Sequence, residues 1–206
     1  GCMIPNVVFN DIFVWCEAND VSLISDEIYH GITYDRKAKT ALSCGDDVIV
    51  INSFSKYFSM TGWRLGWIVV PYNLVRAIEC LAQNLFISPA TLSQLAAVSV
   101  FDCVEELNAN VARYAANREI LLRELPKAGL VQLAQSDGAF YIYADVSSFT
   151  EQSSVFCKNI LAQTGVAITP GIDFDSKLGN NFVRFSYAGS TSDIIEATRR
   201  LQNFLK

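Results

Sequence analysis

Between residues 53 and 66 the chain reads Ser53-Phe54-Ser55-Lys56-Tyr57-Phe58-Ser59-Met60-Thr61-Gly62-Trp63-Arg64-Leu65-Gly66. The run follows Val48-Ile49-Val50-Ile51, an apolar stretch that predicts a buried strand. Ser53, Ser55 and Arg64 are groups that hold a phosphate dianion, Arg64 through a forked contact. Gly62 and Gly66 flank Arg64 and would let backbone approach closely. Lys56 adds a primary amine, the nucleophile that forms a Schiff base with an aldehyde. A lone lysine after a strand is ordinarily a solvated charge, and a lone serine in a loop is ordinarily a turn residue. Their combination at this spacing points to chemistry.

An amine beside phosphate ligands at the end of a buried strand is what pyridoxal phosphate requires. The ring nitrogen of that cofactor must stay protonated, which a nearby carboxylate favours. Asp26, in Ser25-Asp26-Glu27-Ile28-Tyr29, falls where a second buried strand ends, the place at which open α/β sheets hold ligands. The competing reading is an aspartate that caps the next segment. Tyr29 offers a hydroxyl to the cofactor's phenolic oxygen, or else is a half-buried aromatic at a sheet edge. Arg184 lies on the apolar strand Phe182-Val183-Arg184-Phe185-Ser186. A cation there needs a partner, either a substrate carboxylate or an internal acidic residue. The one histidine, His30, reads as a satisfied loop side chain. No metal site, dinucleotide fingerprint or Walker loop is expected. Nor is there a set of residues that could sandwich the cofactor ring from its other side.

Positioning these groups calls for an alternation of elements. Periodicity predicts a helix over 7–19 and strands over 21–25, 48–52 and 65–70. The third strand is expected to run antiparallel to the second, because the link from Lys56 to Leu65 is too short for a parallel crossover. Helices are expected over 73–85 and, from Ser88-Pro89, over most of the stretch to Lys127. Beyond Gly129 the pattern predicts strands over 139–146, 166–169 and 182–186, with helices over 153–164 and at the end. Ser192 is the expected cap of that last helix, with Asp193 in its first turn. The fold class is α/β, with a first lobe over 1–128 and a second over 129–206.

Composition narrows the functions. The formal charge is −5, which argues against nucleic acid. Hydrophobic residues make up 51% of the 206, and mean hydropathy is +0.25. No apolar run approaches the roughly 18–20 residues of a membrane span. The excess reads as surface to be covered by further polypeptide or another subunit. Six scattered cysteines without a Cys-x-x-Cys pair suit reduced thiols and a cytoplasmic setting. Gly1-Cys2-Met3-Ile4-Pro5 has neither the basic start nor the apolar core of a secretory leader. Because the chain starts with Gly1 rather than Met, further residues are expected upstream.

Ser53 to Gly66 closely resembles the lysine signature of the class I/II aminotransferases, which are fold type I pyridoxal phosphate enzymes. Ser25 to Tyr29 resembles their aspartate–tyrosine motif, Asp137-Gly138-Ala139-Phe140-Tyr141 the start of their small domain, and Phe182 to Tyr187 their carboxylate-arginine strand. Thr164 to Gly171 resembles a small-domain strand with its loop. The resemblance implies a partial large-domain sheet plus an α+β C-terminal small domain, and transfer of an amino group from an L-amino acid to a 2-oxo acid. It implies that Lys56 binds the cofactor aldehyde and moves a proton. Asp26 and Tyr29 would meet the ring, Ser53, Ser55 and Arg64 the phosphate, and Arg184 the substrate carboxylate. The signature leans toward an aspartate- or aromatic-type transaminase. Family members begin well upstream, and Gly1 resembles the last residue of their Asn-Pro-x-Gly segment. Much of a homodimer surface would lie in that earlier part. Two alternatives stay open: a β-lyase or synthase on the same fold, and a non-catalytic aminotransferase-like fragment. A transcription-factor version is disfavoured, since nothing basic precedes residue 26.

Overall fold

The computed structural model describes residues 1–205. They form two compact units: residues 3–109, and the stretch from Asn110 onward together with Gly1 and Cys2.

The first unit opens with α1 (Asn6–Ala18), then β1 (Leu23–Asp26), β2 (Val48–Ser53) and β3 (Gly66–Val69), followed by α2 (Tyr72–Leu85), α3 (Thr91–Ser99) and the start of α4 (Val104–Glu124). The strands form one sheet in the order β1-β2-β3. β1 runs parallel to β2, with Asp26 level with Ile51, and β3 returns antiparallel, pairing Gly66 with Ser53. Side chains alternate across a pleated sheet, so the two faces can be read separately. One face packs Val48, Val50, Leu23 and Val69 against Phe9 and Phe13 of α1. The other carries Ile24, Ile51 and Ile68, which are 59%, 41% and 41% exposed. A sheet of this type normally has helices on both faces. Here one apolar face is bare, and none of the residues of α2 is buried.

The second unit contains the remainder of α4, β4 (Tyr141–Asp145), α5 (Ser153–Thr164), β5 (Thr169–Pro170), β6 (Phe182–Ser186) and α6 (Thr191–Phe204). Its sheet has the order β4-β6-β5 and is antiparallel throughout. Ile142 and Ala144 pair with Phe185 and Val183, and all four are buried on one face. Tyr141, Tyr143 and Arg184 therefore share the opposite face.

Several boundaries differ from the sequence expectation. The units divide within α4 rather than after residue 128, because Asn117, fully buried, donates from Nδ2 to the carbonyls of Tyr187 and Gly189 and binds its half of the helix to the second unit. α3 starts at Thr91, not Ser88, since Ile87 takes a left-handed φ of 66° and turns the chain there. β5 is shorter than expected and confined to Thr169 and Pro170. Ser190, not Ser192, caps α6: its Oγ accepts from Asp193 N at 3.1 Å, the reach from a cap to the third helical residue. Among the described residues no helix is long and apolar enough to cross a membrane.

Candidate functional site

The C-terminal ends of β1 and β2 lie side by side, so the parallel pairing brings Asp26 and Ser53 to one edge of the sheet. Beyond Ser53 the chain folds into a tight loop. Its ends are closed by Phe54 N donating to Leu65 O at 3.1 Å and Met60 N donating to Phe54 O at 3.0 Å. Phe54 and Met60 are buried beneath the loop with Ala97, against Phe58 and Leu65. Phe54 and Met60 thus anchor the run, while Ser55 is buried beside them and Thr61 and Arg64 are exposed.

Within the loop the two serine hydroxyls are 3.0 Å apart, and Ser55 N donates to Ser53 Oγ at 3.1 Å. Thr61 Oγ1 donates to Ser55 O at 2.6 Å, and Arg64 Nη1 donates to Thr61 O at 3.0 Å. Thr61 therefore joins the serines to the arginine, a role that spacing alone did not disclose. Ser59 and Arg64 both take left-handed φ values, 56° and 51°. Such conformations are unfavourable for residues with a Cβ and tend to gather at functional loops. Among the described residues, the bond to Thr61 O is the one side-chain hydrogen bond of Arg64. Gly66 is required by packing, since a Cβ there would lie 2.7 Å from Asn52 O. Gly62 is not: a Cβ there meets nothing within 4 Å, contrary to the close approach expected of it.

Lys56 is half-buried, with Nζ 5.5 Å from the centroid of the Tyr29 ring. Asp26 is exposed at its strand end, and its Oδ1 accepts from Ile28 N at 3.2 Å. It does cap the next turn, as the competing reading held, but with one oxygen only. Asp26, Tyr29, Ser53, Ser55, Lys56 and Arg64 all belong to the first unit.

The turn that carries Tyr29 is held by a residue not singled out from sequence. Glu27 is buried, and Oε1 accepts from Ala41 N at 2.7 Å, Thr40 Oγ1 at 3.1 Å and Ser25 Oγ at 3.3 Å. Its Oε2 stands 3.2 Å from His30 Nδ1, which accounts for the histidine. Removal of a buried acceptor strands its donors. Glu27→Ala is therefore expected to lower unfolding stability by about 1–3 kcal/mol, and Glu27→Gln by less, because an acceptor oxygen remains. Urea midpoints of the two variants check this; equal midpoints would mean the carboxylate does not secure the turn.

Arg184 lies in the second unit, on β6 between Tyr143 of β4 and Thr169 of β5. Its guanidinium carbon is 4.2 Å from the Tyr141 ring centroid and 4.4 Å from that of Phe174. No acidic side chain pairs with it among the described residues, and its buried Nε has no hydrogen-bond partner. Nearby, burial raises the Tyr143 hydroxyl above its ordinary pKa, and Asp175 adds to the effect. Among the described residues no cluster of three His, Cys, Asp or Glu side chains is placed to hold a metal ion.

The family model described as aminotransferase class I and II matches residues 2–201. The chain belongs to this family. It is 52% identical over 209 residues to the valine–pyruvate aminotransferase of Mycobacterium tuberculosis, a match covering 100% of this chain and 54% of the relative. Identity to the aspartate aminotransferase of Sulfurisphaera tokodaii is 33% over 192 residues, covering 90% of this chain and 48% of the relative. The crystal structure of an aminotransferase from Mycobacterium tuberculosis matches with a TM-score of 0.94 and 51% identity, over 98% of this chain and 54% of that one. The fold is accordingly a partial fold type I α/β architecture. This aminotransferase chain spans about half the length of the curated relatives it matches.

Proposed function

We propose that this chain carries the lysine loop and carboxylate arginine of a pyridoxal phosphate-dependent aminotransferase that moves an amino group from an L-amino acid to a 2-oxo acid. The observation that carries the reading is the convergence of Asp26, Ser53, Ser55, Lys56 and Arg64 at one end of a parallel strand pair. The donor set suits the cofactor: two hydroxyls 3.0 Å apart and a guanidinium with spare donors suit a phosphate. An exposed carboxylate suits a protonated ring nitrogen, and a half-buried amine suits an aldehyde. Pyridoxal phosphate, when bound, supplies an electron-withdrawing ring that acidifies the substrate Cα–H.

The chain's own groups do the rest. Ser53, Ser55 and Arg64 hold the phosphate. Asp26 keeps the ring nitrogen protonated, because an adjacent negative charge stabilises the cationic form. Tyr29 donates its hydroxyl to the phenolic oxygen. Lys56 would take the proton from substrate Cα and carry it to the carbon two bonds away, a 1,3 shift across the substrate nitrogen. Arg184 holds the α-carboxylate through its fork and so orients the Cα–H bond.

The 52% identity to a valine–pyruvate enzyme, against 33% to an aspartate enzyme, moves the substrate reading from the aspartate or aromatic type toward an apolar amino acid and pyruvate. Six free cysteines support a reducing, cytoplasmic setting. The bare sheet face and the exposed side chains of α2 and α3, such as Leu85, Leu92 and Val98, are read as surface for more polypeptide and a second copy in a homodimer.

That bare face also favours a second reading, in which these 206 residues alone form a non-catalytic unit. Product analysis with L-valine and pyridoxal phosphate separates the possibilities. A transaminase yields the 2-oxo acid and the aminated cofactor in equal amounts. For a lyase, a β-substituted amino acid releases pyruvate and ammonia instead. No product with any amino acid would leave the non-catalytic reading.

A further inference from the structure

We infer that Phe174 is a positioning residue for substrate binding: with Tyr141 it clamps Arg184 flat, so that the forked donors remain for a carboxylate. The inference rests on the proposed role of Arg184. The guanidinium carbon is 4.2 Å from one ring centroid and 4.4 Å from the other, and both distances lie within the range of cation–π attraction. Aromatic faces attract the charge without accepting hydrogen bonds in the guanidinium plane. The five N–H donors of arginine lie in that plane, and the buried Nε already lacks a protein acceptor. A carboxylate presents two oxygens in the matching geometry.

The two rings are held in different ways. Tyr141 is a strand residue, level with Ser186 of β6. Phe174 sits on a loop, and that loop is tightly built. Phe174 N and Asp175 N both donate to Gly171 O, at 2.9 and 3.0 Å, while Gly179 N donates to Asp175 O at 3.0 Å. Asp175 Oδ1 accepts from Lys177 N at 2.8 Å and Leu178 N at 3.1 Å. Gly171 and Gly179 pass so closely that a Cβ on either would strike the other's backbone. The Phe174 ring also meets Tyr143 edge-on at 6.5 Å, and Tyr143 in turn stacks on Phe182 at 5.0 Å. Phe174 nevertheless stays 52% exposed. A phenylalanine presented by so constrained a loop, yet contributing little to the core, is accounted for by the cation beneath it.

The test is Phe174→Leu in the protein that carries this chain, with Phe174→Tyr as the conservative control. Leucine keeps apolar bulk and removes the ring. The expected result is a rise of about 10-fold in KM for both the amino acid and the 2-oxo acid, with kcat within about 2-fold of the parent. The dissociation constant of 3-methylbutanoate, measured by calorimetry, should rise by a similar factor, and that of pyridoxal phosphate should not change. Phe174→Tyr should restore parental values. Unchanged KM and carboxylate affinity in Phe174→Leu would overturn the clamp. So would a loss of kcat and cofactor affinity in step with KM, the sign of general distortion. Arg184→Lys separates the two layers, since lysine keeps the charge but loses the fork. If it leaves carboxylate affinity unchanged, the role of Arg184 fails and the clamp fails with it. A rise in Arg184→Lys with none in Phe174→Leu removes the clamp alone.

Discussion

Lys56→Ala should abolish the covalent label that borohydride is expected to leave on the parent protein in the presence of pyridoxal phosphate, and amino transfer should fall by about 10⁴-fold or more. The expectation follows from the position of the amine. Lys56 is half-buried beside the Tyr29 ring, in a loop whose backbone is closed at both ends. By contrast, Lys39 of the same unit donates to Asn10 Oδ1 at 2.6 Å. The substitution removes a bond-forming nucleophile and the proton carrier together, so the two losses compound. The alanine variant should still retain phosphate affinity, because Ser53, Ser55 and Arg64 are held by Thr61 and by one another rather than by Lys56. Peptide mapping after borohydride treatment decides the matter. A stoichiometric label in Lys56→Ala, or one spread over several lysines in the parent, would reject the assignment.

Arg184→Ala should reduce kcat/KM for every carboxylate substrate by about 10²–10³-fold, the loss of two charge-assisted hydrogen bonds. Cofactor affinity should change little. That separation follows from the architecture: the residues proposed to hold the phosphate and ring all belong to the first unit, and Arg184 belongs to the second. The substitution should also be tolerated by the fold, because the guanidinium satisfies no buried acidic group. Its contacts are two aromatic faces. Steady-state kinetics with a cofactor titration on the same preparation would test both halves. Equal substrate affinity in parent and variant would remove Arg184 from the site, and a parallel loss of cofactor would mean that the second unit had been disturbed as a whole.

The residues of the lysine loop were legible because their relations are local. Ser53, Ser55, Lys56 and Arg64 stand within one short segment after an apolar strand, and the antiparallel return of β3 follows from the length of that segment. Asp26 was legible by the same rule, as the first charge of an apolar run, although β1, which it ends, has no buried residue. Glu27 was not. Its four contacts come from Ser25, His30, Thr40 and Ala41, and an acidic residue in a polar turn gives no sign that it will be buried. The division of α4 between the two compact units was not legible for a related reason. α4 is continuous by propensity, and only the bonds from Asn117 to Tyr187 and Gly189 assign its later part to the second unit. The cap of α6 was misread between two serines, because both have the right chemistry and only the reach to Asp193 N chooses Ser190.

The amino-acid sequence by itself therefore determined the family, the order of elements and the candidate chemistry of the lysine loop, since these rest on residue types at short spacing. The excess of apolar residues also told of uncovered surface, but not which face it was. Tertiary structure alone decided that Ile24, Ile51 and Ile68 form the bare side of the first sheet, because pairing register sets which alternate residues share a face. It alone decided that Arg184 is held by Tyr141 and Phe174 rather than by an acid. Tyr141 is distant in the chain from the other two, and the three meet because β4, β6 and the loop after β5 come together in the second unit.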